Sequence, residues 1–409
     1  MHKNLLSVRT EQGLFFSEIS NLSRLILSQV TKDKRKKRFC KRCLSHFNFE
    51  KQLNEHVNMC RDFPVGKAIM PAPGSNFLKF DEYKMKTRVP VCIFIDTKAI
   101  LVPISQASGK TSTKLQHHQV STFCFDLIST FEPNRRRIVY RGLDAMEKCL
   151  HLIEREMTHT EDLYSVNNPI IPSHSERTNL LQSTNICYIC EKHMENFEKC
   201  IDHDHWVLSL GLYGSKGQNV RGMCHKTCNI FFTRPKFIPI FIHNLKYDGH
   251  FIIKALSDSP GTLKVIPASE EQYITIMKKH GGFQYRFVDT MRFFSASLSK
   301  LVEASPPPPS ENLIHTKLRK GVYPYSYFKS WDICDETELP PKEFFKNDLD
   351  NEEISDDDYL HALRVFYSFK FKNLGEYTDA YCKLDTLILA DLVQNLREEF
   401  LRQYNLDPA

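Results

Sequence analysis

Two apolar stretches predict the framework of the fold. Val89–Pro103 (VPVCIFIDTKAILVP) is apolar on both faces, as is typical of a central strand, and Asp96 interrupts it with a carboxylate. Pro239–Ile242 predicts a second buried strand, and His250–Leu256 has helical spacing. The polar turn between them contains Asn244. A strand that feeds a helix through a polar turn places that turn where open α/β sheets bind their ligands.

The remaining periodicity predicts strands and helices on both sides of this framework. A Ser/Thr/Lys/Gln-rich stretch, Ser105–Gln119, predicts a loop, and an acidic stretch, Asn347–Asp358, predicts a surface insertion. Together these segments favour an α/β fold. The predicted strands are Val120–Ser129, Leu263–Pro267, Tyr273–Met277 and Phe283–Val288. Helices are predicted at Asp144–Thr160 and at roughly Thr378–Tyr404, and a further helix is predicted to start within Phe293–Val302.

Composition narrows the class of protein. The 409 residues leave room for two or three domains, and 41% apolar with 25% charged residues is ordinary for a globular protein. No stretch approaches the ~18 consecutive apolar residues of a membrane span, and the N-terminus lacks the apolar core of a signal peptide. We therefore expect a nuclear or cytoplasmic, non-secreted protein without a membrane partner. In a reducing compartment we expect its 13 cysteines to be thiols or metal ligands rather than disulfides.

The first cysteine motif is Cys40-x2-Cys43-x12-His56-x3-Cys60, which has the spacing of a zinc finger. Such a finger is held together by its metal, which contributes roughly 10–16 kcal/mol to folding. A basic run precedes it and suits contact with DNA phosphates, although basic clusters are most often solvated surface. The candidate nucleic-acid-binding residues in this run are Lys34, Arg35, Lys36, Lys37 and Arg38.

A second cysteine motif combines two cysteine-containing knuckles with a short run of aspartate and histidine residues. Its simplest zinc ligands are Cys187, Cys190, His225 and Cys228, with Cys224 as an alternative to His225. Between the knuckles lies the run Asp202-His203-Asp204-His205, and Asn229 follows the second knuckle. Carboxylate and imidazole groups of this kind can hold a hard cation and polarise a water, whereas a purely structural zinc ribbon explains only the cysteines.

Carboxylates from separate elements form a third candidate site. Asp96 lies in the predicted central strand, Asn244 and Asp248 follow the second strand, and Tyr381 and Asp385 share one face of the last helix. Convergent carboxylates bind the two divalent cations, Mg²⁺ or Mn²⁺, that support phosphoryl transfer. The alternative is structural, with Asn244 and Asp248 capping a helix and the last helix packing into the core.

Four strings of this sequence are long and specific: HNLKYDGHFI, FVDTMRFFSASLSKLV, KGVYPYSYFKSW and GEYTDAYCKLDTLILADL. They resemble the proofreading region of protein-primed family B DNA polymerases, in particular those of Polinton/Maverick-type transposons and related viruses. The resemblance implies a ribonuclease-H-like 3′–5′ exonuclease domain, followed in the family by a polymerase domain. It implies DNA as the partner in DNA replication, with a terminal priming protein or a separate polymerase domain as further candidate partners.

The resemblance also implies roles for individual residues. Asn244 and Asp248 match the second exonuclease motif, and Tyr381 and Asp385 match the third, so that Tyr381 would orient the attacking water. The Cys187–Asn229 segment resembles the recombination endonuclease VII finger, a ββα-metal nuclease. In that likeness, Asp202 and Asn229 would bind a metal and His203 would be the general base.

Two features depart from the family pattern. The first exonuclease motif is Asp-x-Glu in the family, but here it reads Asp96-Thr97-Lys98. At ~4 Å and an effective dielectric constant near 20, one charge–charge term is about 4 kcal/mol, so an ammonium in place of a carboxylate strongly disfavours a divalent cation. We therefore expect an impaired exonuclease. The sequence also contains neither palm motif of the family, so we expect it to represent the N-terminal part of a polymerase.

These observations predict five segments. They are 1–31, an N-terminal segment; 32–63, the basic stretch and finger; 64–180, the first exonuclease-like part; 181–233, the endonuclease VII-like zinc module; and 234–409, the second exonuclease-like part. Three functions remain open at this point: an exonuclease-like polymerase portion, a metal-dependent endonuclease acting through Asp202, His203 and Asn229, and a non-catalytic DNA-binding relic.

Overall fold

The computed structural model describes most of the chain and divides it into two compact units, Met1–Phe80 and Asp81–Ala409. Among the described residues, no helix has the length and apolar character that crossing a membrane requires. The residues described are 5–10, 13–30, 36–62, 72, 74, 83–107, 113–132, 136–172, 174–205, 219–232, 235–257, 261–269, 272–304, 321–346 and 353–409.

The described residues of the first unit form two hairpins and two helices. Its second hairpin and α2 form the predicted finger, with the thiols on the hairpin turn and His56 and Cys60 on the helix. The elements are β1 (Leu5–Thr10), β2 (Gly13–Glu18), α1 (Leu22–Val30), β3 (Arg38–Phe39), β4 (His46–Phe47) and α2 (Glu50–Asp62).

The second unit contains nine strands and eight α-helices among its described residues. The strands are β5 (Val91–Ala107), β6 (Thr113–Ser129), β7 (Arg136–Arg141), β8 (Lys199–His203), β9 (Val220–His225), β10 (Phe237–Ile242), β11 (Leu263–Ser269), β12 (Gln272–His280) and β13 (Phe283–Asp289). The helices are α3 (Ala145–Ser165), α4 (His174–Ser183), α5 (Lys226–Phe231), α6 (Leu245–Ser257), α7 (Met291–Phe294), α8 (Leu298–Ala304), α9 (Asp356–Ser368) and α10 (Leu374–Tyr404).

A seven-stranded mixed sheet forms the centre of the second unit, in the order β11-β12-β13-β10-β5-β6-β7. Strand β10 is parallel to both β13 and β5, whereas the other neighbouring pairs are antiparallel. Its register with β5 pairs Ile240 with Ile93 and Phe241 with Phe94. The carboxyl end of β10, where the polar turn begins, therefore lies beside the part of β5 that contains Asp96 and Lys98.

Alternating side chains of β5 bury opposite faces of this sheet. Ile93 and Ile95 belong to the core that the sheet forms with α3 and α6. Phe94 belongs to a second core, which includes Ile388 and Leu389 of α10. Because side chains alternate along a strand, Asp96 and Lys98 continue the α10 face and Thr97 continues the α6 face. The stretch predicted as a central strand is thus covered by helices on both sides.

The predicted loop at Ser105–Gln119 is wrong at both ends. Strand β5 extends to Ala107 and β6 begins at Thr113, with Pro103 paired to Gln116 and Leu101 to His118. The polar arm formed by residues 103–107 of β5 and 113–119 of β6 carries no apolar alternation from which a strand could be predicted. Backbone pairing between two long antiparallel strands extends it regardless of side-chain polarity. Residues 108–112 lie outside the described part of the chain.

Candidate functional site

Three ionic groups of the predicted exonuclease site converge between β5 and α10. Lys98 Nζ lies 2.7 Å from Asp96 Oδ2 and 3.0 Å from Asp385 Oδ2. Lys98 and Asp385 are almost completely buried, and the Asp96 side chain is 19% exposed. The sequence predicted the convergence of Asp96 with Asp385. It did not predict that the ammonium would lie between the two carboxylates as their counter-ion.

Two tyrosines complete the surroundings of the ammonium. Lys98 Nζ is 4.7 Å from the centre of the Tyr381 ring and 5.8 Å from that of Tyr325, which is within the range of cation–π attraction. The two tyrosine hydroxyls are 3.0 Å apart, and Tyr381 also stacks on Tyr323. Tyr381 is therefore buried between aromatic rings, with its hydroxyl engaged by Tyr325 at the surface.

The electrostatics favour a charged lysine at this position. Burial alone would lower the pKa of Lys98, but the negative charge of Asp96, together with Tyr325 and Asp385, outweighs that penalty and places the pKa well above its usual value. Lys98 is therefore protonated throughout the physiological range. Its charge is compensated by two carboxylates and two aromatic faces.

Asp248 reaches the same region from the opposite face of the sheet. It lies in the first turn of α6, is buried, and accepts a hydrogen bond from the Thr97 hydroxyl on β5. Burial, followed by the nearby charge of Asp96, raises the pKa of Asp248 to about 7, against the opposing effects of Thr97 and Lys98. A large fraction of this carboxyl group is therefore protonated at neutral pH, which suits a buried group without a full cationic partner.

The raised pKa of Asp248 predicts a pH dependence of stability. The folded chain holds this proton more tightly than the unfolded chain, so the free energy of unfolding should fall as the pH rises from about 4 to about 7, by at most about 1.4 kcal/mol per pH unit. Asp248→Asn should remove this component, whereas Asp332→Asn, at an exposed carboxylate, should retain it. Urea unfolding at several pH values measures the slope. An unchanged slope in Asp248→Asn would contradict the assignment.

The carboxylates at this site do not fit a divalent cation while Lys98 remains in place. Asp385 Oδ1 is buried without a hydrogen-bond partner among the described residues, so the site does offer an acceptor that a cation could use. However, Mg²⁺ needs carboxylate oxygens at about 2.0–2.1 Å, and the ammonium occupies the space between the two carboxylates. The two carboxylates of this chain therefore favour the ammonium of Lys98 over a bound metal ion.

Asn244 lies at the predicted turn and adopts an unusual backbone conformation. Its φ of 73° is in the left-handed region, which asparagine tolerates better than most residues. Its backbone N–H donates to Asp289 Oδ1 at 3.1 Å, and the same oxygen accepts from Met291 at 3.0 Å. Asp289, which the sequence did not single out, thus holds the turn that begins α6.

Both Cys/His motifs gather their side chains into clusters that can bind zinc. In each cluster the four ligand atoms lie within 4.8 Å of one another. Both Cys-x2-Cys knuckles turn in the same way: the residue after the second cysteine, Leu44 or Glu191, has a positive φ and donates its N–H to the carbonyl of the first cysteine at 2.8 Å. The clusters are Cys40, Cys43, His56 and Cys60, and Cys187, Cys190, His225 and Cys228.

The thiol pKa values differ within each cluster. Burial and neighbouring thiols raise the pKa of Cys60 to about 11 and that of Cys228 to about 12, whereas one thiol of each cluster has a lowered pKa. Hydrogen bonding with Ser45, and with His56, lowers the pKa of Cys43 to about 6. Burial would raise the pKa of Cys187, but backbone hydrogen bonds from Cys190 and His225 lower it to about 7. His225 Nε2 lies 3.0 Å from the carbonyl of His193, which can only accept, so Nδ1 is left to face the thiols. These donors suit zinc, and Cys224 is not a member of the cluster.

The predicted endonuclease residues lie beside the second cluster. Asp202 and His203 are on β8, and Asn229 is on α5. Asp202 is buried, with one carboxylate oxygen 2.8 Å from Arg221 Nη2 and the other accepting a hydrogen bond from Tyr188. Burial, together with His205, lowers the pKa of His203. A neutral imidazole suits a base, but Asp202 already has a cationic partner that the sequence did not reveal.

The basic run is only partly described. Lys34 and Arg35 lie outside the described residues, whereas Lys36 is exposed. Lys37 is buried and donates to Asn48 Oδ1 at 2.5 Å, and Arg38 pairs with Glu50 at 2.5 Å. Two of the five candidate DNA-binding residues therefore contribute to packing within the finger.

Part of this chain matches a known protein family. Residues 232–407 match the family model described as DNA polymerase type B, organellar and viral, which supports a function related to type B DNA polymerases and DNA as a partner. The matched segment, less than half of the chain, includes Asn244, Asp248 and Asp385 but neither Asp96 nor the cysteine clusters. Neither the curated proteins nor the solved structures contain a match to this chain.

Proposed function

We propose that this chain is an exonuclease-like, DNA-binding portion of a type B DNA polymerase of the transposon or virus type, acting in DNA replication, and that its 3′–5′ exonuclease chemistry is impaired by Lys98. The observation that carries the proposal is the position of Lys98 Nζ, 2.7 Å from Asp96 and 3.0 Å from Asp385. The family match over residues 232–407 supports the polymerase relationship.

The arrangement of the sheet supports a ribonuclease-H-like domain. A central mixed sheet has helices on both faces, and Asp96, Asp248 and Asp385 approach one region of it from β5, α6 and α10. Convergent carboxylates at such a position are the usual basis of metal-dependent phosphoryl transfer. In this chain one of the required negative charges is replaced by a positive one, so the fold can retain DNA binding while the chemistry is lost.

The ionic contacts favour this proposal over the endonuclease. Asp202 is bonded to Arg221 and Tyr188, so its carboxylate is less available to a metal than an open one would be. We therefore propose zinc as the structural metal of both cysteine clusters, with Mg²⁺ or Mn²⁺ binding weakened at the exonuclease-like site.

The activity of the full chain toward DNA 3′ ends tests this proposal. With Mg²⁺ or Mn²⁺ and a labelled single-stranded oligonucleotide, the wild-type chain should digest no faster than Asp385→Ala. Lys98→Glu removes the ammonium and adds a carboxylate, and since one such charge term is about 4 kcal/mol it should gain at least about 100-fold in rate.

Two controls make the result decisive. The double variant Lys98→Glu/Asp385→Ala should lose the gain, which excludes a contaminating nuclease. Fluorescence anisotropy should give similar affinities of the wild-type chain and Asp385→Ala for single-stranded DNA. Wild-type digestion that disappears in Asp385→Ala would contradict the proposed impairment, and so would a Lys98→Glu variant that binds Mn²⁺ without any gain in rate.

A further inference from the structure

Two cysteines of the zinc module belong to neither metal cluster and lie against each other. Cys200 on β8 and Cys224 on β9 are directly paired across the two-stranded sheet, and their Sγ atoms are 3.4 Å apart. Both are free thiols. A disulfide needs about 2.0 Å between its sulfurs, with Cα atoms about 4.4–6.8 Å apart, and directly paired residues of antiparallel strands fall in that range.

The exposures of the two thiols differ in a way that suits a two-step oxidation. Cys200 is partly exposed, so an oxidant from solvent can reach it, whereas Cys224 is fully buried behind it. The second thiol is thus held within reach of the first and is shielded from competing small thiols. A solvent-accessible cysteine poised beside a second thiol is a common arrangement in reversible thiol oxidation.

We propose that Cys200 and Cys224 form a reversible cross-strand disulfide when a peroxide oxidises the chain. The Cys200 sulfur attacks the O–O bond, which breaks to give a sulfenic acid and one water. The Cys224 thiol then attacks the Cys200 sulfur, the S–S bond forms and a second water leaves. The two thiols lose two protons and two electrons, and the peroxide is reduced to two waters.

The disulfide would fasten the pair of strands that contains Asp202 on β8 and the candidate zinc ligand His225 on β9. His225 ends β9, and Cys228 follows on α5, so a covalent link between β8 and β9 holds this part of the module independently of the metal. Oxidation would therefore convert a pair of strands that depends on zinc into one that persists when zinc is removed. None of this depends on the proposed exonuclease-like function.

Peptide mapping of the full, zinc-loaded chain tests the proposal. After stoichiometric hydrogen peroxide, quenching with catalase and alkylation, the dominant cross-link should join Cys200 to Cys224, should disappear with dithiothreitol, and should leave the zinc content unchanged. Cys200→Ser should abolish it, and Cys334→Ser should retain it. With zinc then chelated, hydrogen exchange of β8 and β9 should be at least tenfold slower in the oxidised chain.

The opposite results are equally clear. Alkylated thiols at both positions, at peroxide concentrations that oxidise free glutathione, would overturn the proposal. Cross-links among Cys187, Cys190 and Cys228 with loss of zinc would also overturn it. Because Cys200 is not fully buried, Cys200→Ser should keep its zinc, which makes this variant decisive even where Cys224→Ser does not fold.

Discussion

Chelation of zinc from the full chain is expected to unfold the finger around α2 and the module around β8 and β9, while the central sheet keeps its structure. Metal binding contributes roughly 10–16 kcal/mol to modules of this kind, far more than their small apolar cores can supply. The finger illustrates this shortage, because α2 has no buried residue. Hydrogen exchange should lose at least tenfold protection in both modules but not in β5 or β10.

The zinc content of single variants distinguishes the residues that bind zinc from the cysteines that lie beside them. The wild-type chain should bind two zinc ions per molecule, and Cys43→Ser or His225→Ala should each lose one. Cys200→Ser is the matched control, since this cysteine lies in the same module but outside the cluster. Loss of zinc from Cys224→Ser together with retention in His225→Ala would show that the alternative ligand considered from the sequence is the real one.

Lys98→Met is expected to destabilise the second unit by about 3 kcal/mol. Removing one partner of a buried ion pair costs about 3–5 kcal/mol because it leaves the other charge uncompensated, and the partial exposure of Asp96 places this case near the lower limit. The variant retains Asp96 and Asp385, so Mn²⁺ should restore much of the lost stability by binding to the folded state. Urea unfolding with and without Mn²⁺ measures both effects.

The matched control is Lys148→Met. Lys148 also lies over a tyrosine ring and pairs with an aspartate, but its side chain is 52% exposed. Its loss should therefore destabilise the second unit much less than Lys98→Met does, with no response to Mn²⁺. Equal destabilisation in the two variants, or an equal response to Mn²⁺ in the wild-type chain and Lys98→Met, would show that Lys98 is not the counter-ion of the site.

Much of the framework could be predicted from apolar patterns. Strand β10, helix α6 and the long α10 agree with the pattern because each buries a continuous apolar face. The two Cys/His clusters, which could bind zinc, also agree with the sequence: it predicted the ligands of the first, and for the second it left Cys224 open as an alternative to His225. The polar arm of β5 and β6 was not predicted, because backbone pairing alone determines its extent.

The partners of the site residues could not be predicted from the sequence. Lys98 was expected to repel a metal ion, but its two ion pairs depend on the register of β5 against α10, which no local pattern specifies. The same holds for Thr97 with Asp248, and for Arg221 with Asp202. Tyr325 lies within a string that resembles the polymerase family, yet its contact with Tyr381 required the fold.

The anomalous scattering of Mn²⁺ in crystals of the full chain tests the central claim most directly. We expect no manganese peak between Asp96 and Asp385 of the wild-type chain, with Lys98 Nζ in that position, and a peak at the same place in Lys98→Glu. A manganese ion bound to both carboxylates of the wild-type chain, with Lys98 turned away, would contradict the account.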